Sequence, residues 1–226
     1  MNTLTVQVKP QYVRLTDLTE YFPDGAEYRL HEVQRRLKIG FDALPEFTII
    51  TAPTGTGKSY AFPFPVLEAK RQSGFFDDGV RGCIVLPTNA LIDELTENFR
   101  QTYPNLRVTR LTGVELDVRQ KRGFDRWQTA LDICAESDLV ITNPDIINFA
   151  MHGGYHFYRQ KGQVLRGRTP DHKTGGNEFA TFLAYFDYLV FDEYHLYDEA
   201  QIANILALVK MREFFLRYKK VRYLFV

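Results

Sequence analysis

The sequence has little cysteine, no excess of either charge and no long apolar run. Its two cysteines, Cys83 and Cys134, lie in no Cys-x-x-Cys pair and beside no histidine, which disfavours a disulfide scaffold and a zinc site. Lysine plus arginine and aspartate plus glutamate are equal at 28 each. No global positive field therefore draws the chain to nucleic acid, and any such contact has to come from local patches.

No apolar run approaches the ~20 residues of a membrane span, and the first residues lack the basic and apolar regions of a secretory signal. We therefore expect a cytoplasmic protein with no membrane partner and with both thiols reduced. A chain of 226 residues suits one α/β domain with a large core and is too short for two lobes of ordinary size.

What the sequence does contain is an apolar, β-branched run at residues 47–51 that stops abruptly in a Gly/Thr loop closed by Lys-Ser. This pattern is typical of a buried strand followed by a phosphate-binding loop. Backbone N–H groups of such a loop point at phosphate oxygens, Lys58 would reach the β- and γ-phosphates, and Ser59 would bind Mg²⁺. The residues of the loop predicted to bind nucleotide are Thr54, Gly55, Thr56, Gly57, Lys58 and Ser59.

A second polar motif, Asp192-Glu193-Tyr194-His195, follows another apolar run at residues 187–191. Nucleotide hydrolysis needs residues of these types: Asp192 to hold Mg²⁺, usually through water, and Glu193 to polarise the water that attacks the γ-phosphate. Both carboxylates would have to leave the same edge of the sheet that carries the phosphate loop.

Six apolar runs alternate with helical patterns, which predicts an α/β fold with a mostly parallel central sheet flanked by helices in three layers. We expect a strand and loop segment at 1–26, including a strand at 4–8, and one lobe at 27–226. The predicted strands begin near residues 47, 79, 106, 138, 187 and 221. The predicted helices cover 27–40, about 57–71 with kinks at Pro63 and Pro65, 121–135 and 179–186.

The stretch at about 152–177 interrupts this alternation as a long loop insertion that mixes aromatic and basic residues. Such a mixture is used by grooves that bind single-stranded nucleic acid, where aromatic rings stack on bases and cations neutralise phosphates. A solvated basic loop is the alternative.

The loop variant with Ala52 in place of the usual first glycine resembles motif I of the superfamily 2 helicases, and Asp-Glu-x-His resembles their motif II. The resemblance implies a RecA-like P-loop NTPase lobe that binds ATP and Mg²⁺, with Ser59 and Asp192 at the metal. Gln34 is similar in placement to the glutamine with which this superfamily reads adenine; a solvated helix glutamine is the alternative. The catalytic residues that the resemblance implies are Lys58, Asp192, Glu193 and His195.

Three later loops resemble nucleic-acid-binding motifs of the same superfamily. In the first, Asn89 stands where the family often has arginine or lysine, which weakens the electrostatic contact and leaves the Thr88 hydroxyl and backbone N–H groups. The alternative is that Thr88 only caps a helix. The residues that the resemblance places against single-stranded nucleic acid are Pro87, Thr88, Asn89, Thr112, Gly113, Thr142 and Pro144.

The segment from Asp192 to Asp198, together with residues 51–59, looks most like the helicase subunit of type I CRISPR interference, with the type I-D form as one candidate. This implies translocation on single-stranded DNA, a guide-RNA surveillance complex as partner and, since the sequence has no His-Asp dipeptide, a nuclease on a separate subunit. We expect the second lobe to be absent from these residues and the chain alone to be nearly inactive. A docking module of the effector complex, a restriction-enzyme motor and an RNA helicase are the alternatives.

Overall fold

A six-stranded parallel sheet with helices on both faces forms the centre of the molecule, and a two-stranded antiparallel ribbon lies N-terminal to it. This confirms the predicted α/β class. The computed structural model describes residues 18–21, 27–30, 32–38, 41–51, 57–72, 79–123, 125–151, 182–216 and 218–226. The predicted strand at 4–8 and the loop insertion at 152–177 lie outside these ranges, and the division at residue 26 stays a prediction.

The ribbon and the sheet are built from short strands. They are β1 (Leu18–Tyr21), β2 (Glu27–Leu30), β3 (Phe47–Ile49), β4 (Gly82–Val85), β5 (Val108–Leu111), β6 (Leu139–Thr142), β7 (Tyr188–Phe191) and β8 (Arg222–Phe225). The α-helices are α1 (Glu32–Leu37), α2 (Phe64–Gln72), α3 (Asn89–Thr102), α4 (Gly113–Lys121), α5 (Arg126–Glu136), α6 (Pro144–Met151) and α7 (Glu199–Phe215).

The strand order in the sheet is β3-β8-β7-β4-β6-β5, and every neighbouring pair is parallel. Parallel strands all end at the same edge, so the loops that follow them are gathered there, as is usual for ligand sites of open α/β sheets. The order also brings β3 and β7, which are far apart in sequence, to within one strand of each other.

Two apolar cores occupy the two faces of the sheet. Cys83 and Val85 of β4 point into one core, which α4, α5, α6 and α7 cover, while Ile84 points into the other, which α1, α2 and α3 cover. This alternation follows from the period of two along a strand. The two cores on either side of the sheet give the predicted three layers. Burial in the first core raises the pKa of the Cys83 thiol to about 12. Within the described ranges no helix is both long and apolar enough to cross a bilayer.

The predicted helix at 27–40 is wrong in its first part. Residues 27–30 form β2, which pairs antiparallel with β1 in the register Leu18↔Leu30 and Tyr21↔Glu27. The helix itself covers only Glu32–Leu37. The strand partner supplies backbone hydrogen bonds that a local reading of the sequence does not contain, so tertiary pairing overrides the helical spacing.

A helix that the sequence reading missed, α4, begins directly after β5. The Thr112 hydroxyl accepts a hydrogen bond from the Glu115 N–H and so caps α4, while the Asp125 carboxylate caps α5 in the same way. The single helix predicted at 121–135 is thus α5, which starts later, at Arg126. The helix expected from about residue 57 is a 3₁₀ turn at Ser59–Ala61, and α2 starts only at Phe64, consistent with the expected effect of the prolines.

Candidate nucleotide and nucleic-acid site

Ser59, which closes the phosphate-loop motif, and the Asp-Glu motif meet at the carboxyl edge of the sheet. The Ser59 hydroxyl donates a hydrogen bond of 3.2 Å to Asp192 Oδ2, across 133 positions of sequence. The contact exists because β3 and β7 both pair with β8, which brings Ser59 and Asp192 close together. The spatial relation predicted for these two motifs is therefore present in the structure.

The Asp192 carboxylate is held in an environment that suits a cation. Asp192 is 4% exposed. Burial raises the pKa of its carboxyl group, and the negative charge of the neighbouring Glu193 raises it further. The Ser59 hydroxyl, the Glu193 N–H and the Lys58 charge act in the opposite direction. A buried carboxylate with a raised pKa gains most from a bound positive charge.

The donor set fits Mg²⁺. This ion takes oxygen ligands, commonly one or two carboxylates together with substrate phosphates and water, and the site offers Asp192, Glu193 and the Ser59 hydroxyl. Among the described residues no group of three His, Cys, Asp or Glu side chains is arranged to hold a metal. A magnesium that arrives with a nucleotide suits this arrangement better than one bound by the protein alone.

Glu193 has an unusual backbone conformation, with φ of 53° and ψ of 35° in the left-handed region. Among the described residues it is the only non-glycine residue with positive φ. Such a conformation costs about 1–3 kcal/mol and persists where surrounding contacts impose it. Here the Glu193 N–H donates to Asp192 Oδ1 at 3.0 Å and its carbonyl accepts from the Leu196 N–H at 2.8 Å, so the backbone of Glu193 is fixed beside the Asp192 carboxylate.

His195 lies beside this pair at the surface. Its Nδ1 is 3.5 Å from Glu193 Oε2, and its side chain is 64% exposed. The position allows His195 to orient the Glu193 carboxylate, while its catalytic role stays a prediction.

Gln34 lies against the phosphate loop. It is 7% exposed, which contradicts the alternative of a solvated glutamine, and its Nε2 donates to the Gly57 carbonyl at 2.8 Å. Gly57 has φ of +67°, and a Cβ built there would lie 2.7 Å from Gln34 Nε2. The backbone conformation therefore favours glycine at this position, and a Cβ there would force the Gln34 amide to move. The predicted role of Gln34 in reading adenine stays a prediction.

We expect Gly57→Ala to lower both the stability and the affinity for Mg-nucleotide. The left-handed φ alone costs about 1–2 kcal/mol, and the new methyl group would displace Gln34 from the loop. Gly123→Ala is the matched control, because Gly123 has φ of +90° with nothing within 4 Å of a built Cβ. Denaturant unfolding should show similar losses for both variants, whereas nucleotide titration should separate them; equal nucleotide affinity in the two would contradict a role for the Gln34 contact.

A cavity of about 570 Å³ opens next to these residues, a size typical of small-molecule sites. Lys58, Ser59, Asp192 and Glu193 line one part of it, and side chains of α3 such as Leu95 line another. Thr54, Gly55 and Thr56 lie outside the described residues, so their predicted contacts with phosphate stay predictions.

Three helices begin at the same edge of the sheet, after β4, β5 and β6. Thr88 caps α3 by accepting from the Leu91 N–H at 3.3 Å, Thr112 caps α4, and the Asn143 side chain accepts from the Ile146 N–H at 3.0 Å in α6. Each start presents backbone N–H groups and a partial positive charge, which suits phosphate oxygens. Thr88 therefore does cap α3, which is compatible with a phosphate contact, and its predicted contact with nucleic acid stays a prediction.

Some of the predicted nucleic-acid residues are buried in the structure, and others are exposed at a helix start. Thr142 is fully buried, and its hydroxyl donates to the Leu111 carbonyl at 2.7 Å, so it supports the neighbouring loop. Pro144 is the first residue of α6, and Gly113 the first of α4. Thr88 and Asn89 are exposed, with Asn89 Oδ1 accepting from Asn143 Nδ2 at 2.9 Å.

The sequence reading missed two residues that organise this edge. Asn143 bridges the starts of α3 and α6, and the signal for it was an Asn-Pro pair at the end of an apolar run, which is a helix-start pattern. Tyr197 is 5% exposed and donates to the Val85 carbonyl at 2.8 Å. No periodic pattern in the sequence singles out Tyr197, because its hydrogen-bond partner lies 112 positions away.

Solved helicase structures share the fold of this chain, although a sequence search of curated proteins finds no match. The DUF1998 helicase MrfA bound to DNA and AMPPNP is similar with a TM-score of 0.59 and 15% identity over 92% of this chain and 27% of MrfA. The DEAD-box helicase Mss116 bound to ssRNA and UDP-BeF is similar with a TM-score of 0.55 and 18% identity over 87% of this chain and 35% of Mss116. The chain thus spans about a third or less of the length of these helicases.

The family model of the DEAD/DEAH box helicases matches residues 38–225. The matched range contains Lys58 and Ser59, the Asp-Glu-x-His motif and all six strands of the parallel sheet. Sequence, fold and the contact between the two motifs therefore agree, and the chain belongs to the DEAD/DEAH box helicase family.

Proposed function

We propose that this chain is the ATP-binding lobe of an ATP-dependent helicase or translocase that moves on single-stranded DNA. The observation that carries the proposal is the contact between Ser59 and Asp192 at the carboxyl edge of the sheet, 3.2 Å between oxygens. A hydroxyl that follows a phosphate loop and a buried carboxylate meet there, as a Mg-nucleotide site requires.

In this site, Lys58 and the loop around Gly57 bind the phosphates, and Ser59 and Asp192 hold Mg²⁺. The bound ion would neutralise charge on the phosphate oxygens. Glu193 orients and polarises the attacking water as general base, with its position set by the left-handed backbone and by the bond from its N–H to Asp192. His195 lies near enough to the Glu193 carboxylate to orient it.

The starts of α3, α4 and α6 form the proposed contact with the single strand. Phosphates bound to Thr88 and to backbone N–H groups are read without regard to base, so the contact carries little sequence preference. The net charge of zero agrees with a contact made by helix starts rather than by a basic surface. A single-stranded RNA is the alternative substrate.

The partner assignment belongs to the same proposal. The segment Asp192-Glu193-Tyr194-His195-Leu196-Tyr197-Asp198 resembles the helicase subunit of type I CRISPR interference, so we propose a guide-RNA surveillance complex and a separate nuclease subunit as partners in antiviral defence. A docking module within such a complex is the second reading, since α7 and the turn before it leave Leu196 and Leu206 each 60% exposed.

We expect the 226-residue chain to bind Mg-AMPPNP, to hydrolyse ATP only at a background rate and to unwind no duplex. In the helicases that it resembles, a second lobe supplies an arginine whose loss costs about 10³–10⁵ in rate, or about 4–7 kcal/mol of barrier. Titration with fluorescent Mg-nucleotide measures the binding, and phosphate release with and without oligo-dT measures the turnover.

Oligo-U serves as the second strand in the same assays. Tighter binding of oligo-dT than of oligo-U supports DNA as substrate, and the reverse order supports RNA. Strand-stimulated hydrolysis by this chain alone would contradict the expected inactivity, while absence of Mg-nucleotide binding would overturn the proposed function.

A further inference from the structure

The Tyr197 hydroxyl and the Asp192 backbone N–H share one hydrogen-bond acceptor. The Tyr197 hydroxyl donates to the Val85 carbonyl at 2.8 Å, and the Asp192 N–H donates to the same carbonyl at 3.1 Å. Val85 is the last residue of β4. The two ends of the segment 192–197 are therefore tied to one atom at the end of the neighbouring strand.

The segment between these ends is short and internally bonded. It holds Glu193 in its left-handed conformation, followed by a 3₁₀ turn at Tyr194–Leu196. The Leu196 N–H donates to the Glu193 carbonyl at 2.8 Å, and the Tyr197 N–H donates to the Tyr194 carbonyl at 3.2 Å. The Tyr194 N–H also donates to the Val226 carbonyl, just after β8, at 3.1 Å. Because the segment is short and held at both ends, a displacement of the end of β4 would change the position of Glu193 relative to β8.

The same end of β4 leads into the proposed nucleic-acid contact. Two residues after Val85 the chain reaches Pro87, and Thr88 then caps α3. The Leu86 N–H donates to the Thr142 carbonyl at 2.9 Å, and Asn143 bonds to Asn89. The Val85 carbonyl therefore stands between the Asp-Glu motif and the starts of α3 and α6.

We propose that Tyr197 is a positioning residue that couples Mg-nucleotide binding at Asp192 and Glu193 to single-strand binding at Thr88. The inference rests on the proposed function and deepens it. Burial raises the pKa of the Tyr197 phenol, and the Asp192 charge adds to this, so the hydroxyl stays protonated and remains a donor throughout the physiological pH range. Without that donor, Asp192 alone would connect the segment to β4.

The test measures coupling rather than rate, using the full 226-residue chain. The Kd of fluorescein-labelled oligo-dT is measured by anisotropy without nucleotide and with saturating Mg-AMPPNP, and the Kd of Mg-AMPPNP is measured with and without oligo-dT. The ratio of the two Kd values is the coupling factor, which has to be the same in both directions. We expect at least about fivefold in the wild type and a factor near one in Tyr197→Phe, with each Kd for the isolated ligand unchanged.

Ser137→Ala is the matched control. Its buried hydroxyl donates to the Ile133 carbonyl at 2.6 Å, so the substitution removes the same kind of bond at the opposite edge of the sheet. Both variants are checked by thermal unfolding, and binding is measured well below the lower melting temperature. The control should keep the wild-type coupling factor even if it lowers the melting temperature.

The outcomes separate the inference from the proposed function. If Tyr197→Phe keeps the wild-type coupling factor, the proposed role of the hydroxyl is overturned. If Tyr197→Phe and Ser137→Ala lower the coupling factor equally, the effect is one of general stability and the role of Tyr197 is overturned as well. A factor of one in the wild type, with both ligands bound, overturns the coupling while the proposed function stands. A wild type that binds no Mg-nucleotide overturns both.

Discussion

Replacing Lys58 with alanine is expected to lower the affinity for Mg-nucleotide by about tenfold to a hundredfold. A hydrogen bond to a charged group is worth about 1.5–3 kcal/mol, which converts to that range of Kd. Lys58 lines the cavity together with Ser59, and its charge acts on the Asp192 carboxyl. Titration with fluorescent Mg-nucleotide measures the effect.

Lys210→Ala is the control for loss of one positive charge. Lys210 is exposed on α7 and pairs with Glu213 at 2.8 Å, so its replacement should leave nucleotide affinity unchanged. Equal affinities in Lys58→Ala and Lys210→Ala would remove Lys58 from the nucleotide site. The same variant separates the two functional readings: if Lys58→Ala loses nucleotide but still binds the surveillance complex in a pull-down, the docking reading is favoured.

Asp138→Asn is expected to destabilise the fold by about 2–3 kcal/mol, since removing one partner leaves charges without their counter-ion. Asp138 is 6% exposed at the amino edge of the sheet. It accepts from the Arg107 N–H at 2.8 Å and from the Arg107 guanidinium at 2.9 Å, and it pairs with Lys70. The carboxylate thus joins α2 to the starts of β5 and β6, far from the nucleotide site.

The measurement is thermal unfolding, where this loss corresponds to a melting temperature lower by about 4–12 °C. Asp93→Asn is the control, because Asp93 pairs with Arg110 at 2.7 Å but its side chain is 59% exposed, and such pairs contribute about 0–1 kcal/mol. Equal melting temperatures for the two variants would contradict the structural role of Asp138. Nucleotide affinity should be unchanged in both.

The same carboxylate predicts a pH dependence. Burial by itself would raise the pKa of Asp138, but the hydrogen bonds from Arg107 and Lys70 outweigh it and hold the pKa below its ordinary value of 3.8. The stabilisation is therefore complete above that ordinary value and is lost as the pH falls through the lower, folded-state pKa. The stability difference between wild type and Asp138→Asn should shrink on acidification below about pH 4.

Local sequence patterns predicted most of the architecture and the central residues of the site. Each strand of the sheet was predicted because a short apolar run between turn signals is readable by itself, and Lys58, Ser59, Asp192 and Glu193 were predicted because their chemistry is written as contiguous motifs. The errors arose where the deciding partner is distant or the signal is subtle. Residues 27–30 became a strand because β1 pairs with them, and α4 was missed although Thr112 and Glu115 have helix-cap spacing.

The amino-acid sequence by itself determined which segments form the strands of the parallel sheet, where phosphate-type loops follow them, and the family to which the chain belongs. Only the tertiary structure decided that β8 lies between β3 and β7, which brings Ser59 close to Asp192. It also decided that the Val85 carbonyl accepts hydrogen bonds from both the Asp192 N–H and the Tyr197 hydroxyl. The physical reason is that strand and loop signals are short-range properties of neighbouring residues. Strand order and long-range hydrogen bonds depend instead on how the two cores pack, which no local pattern encodes.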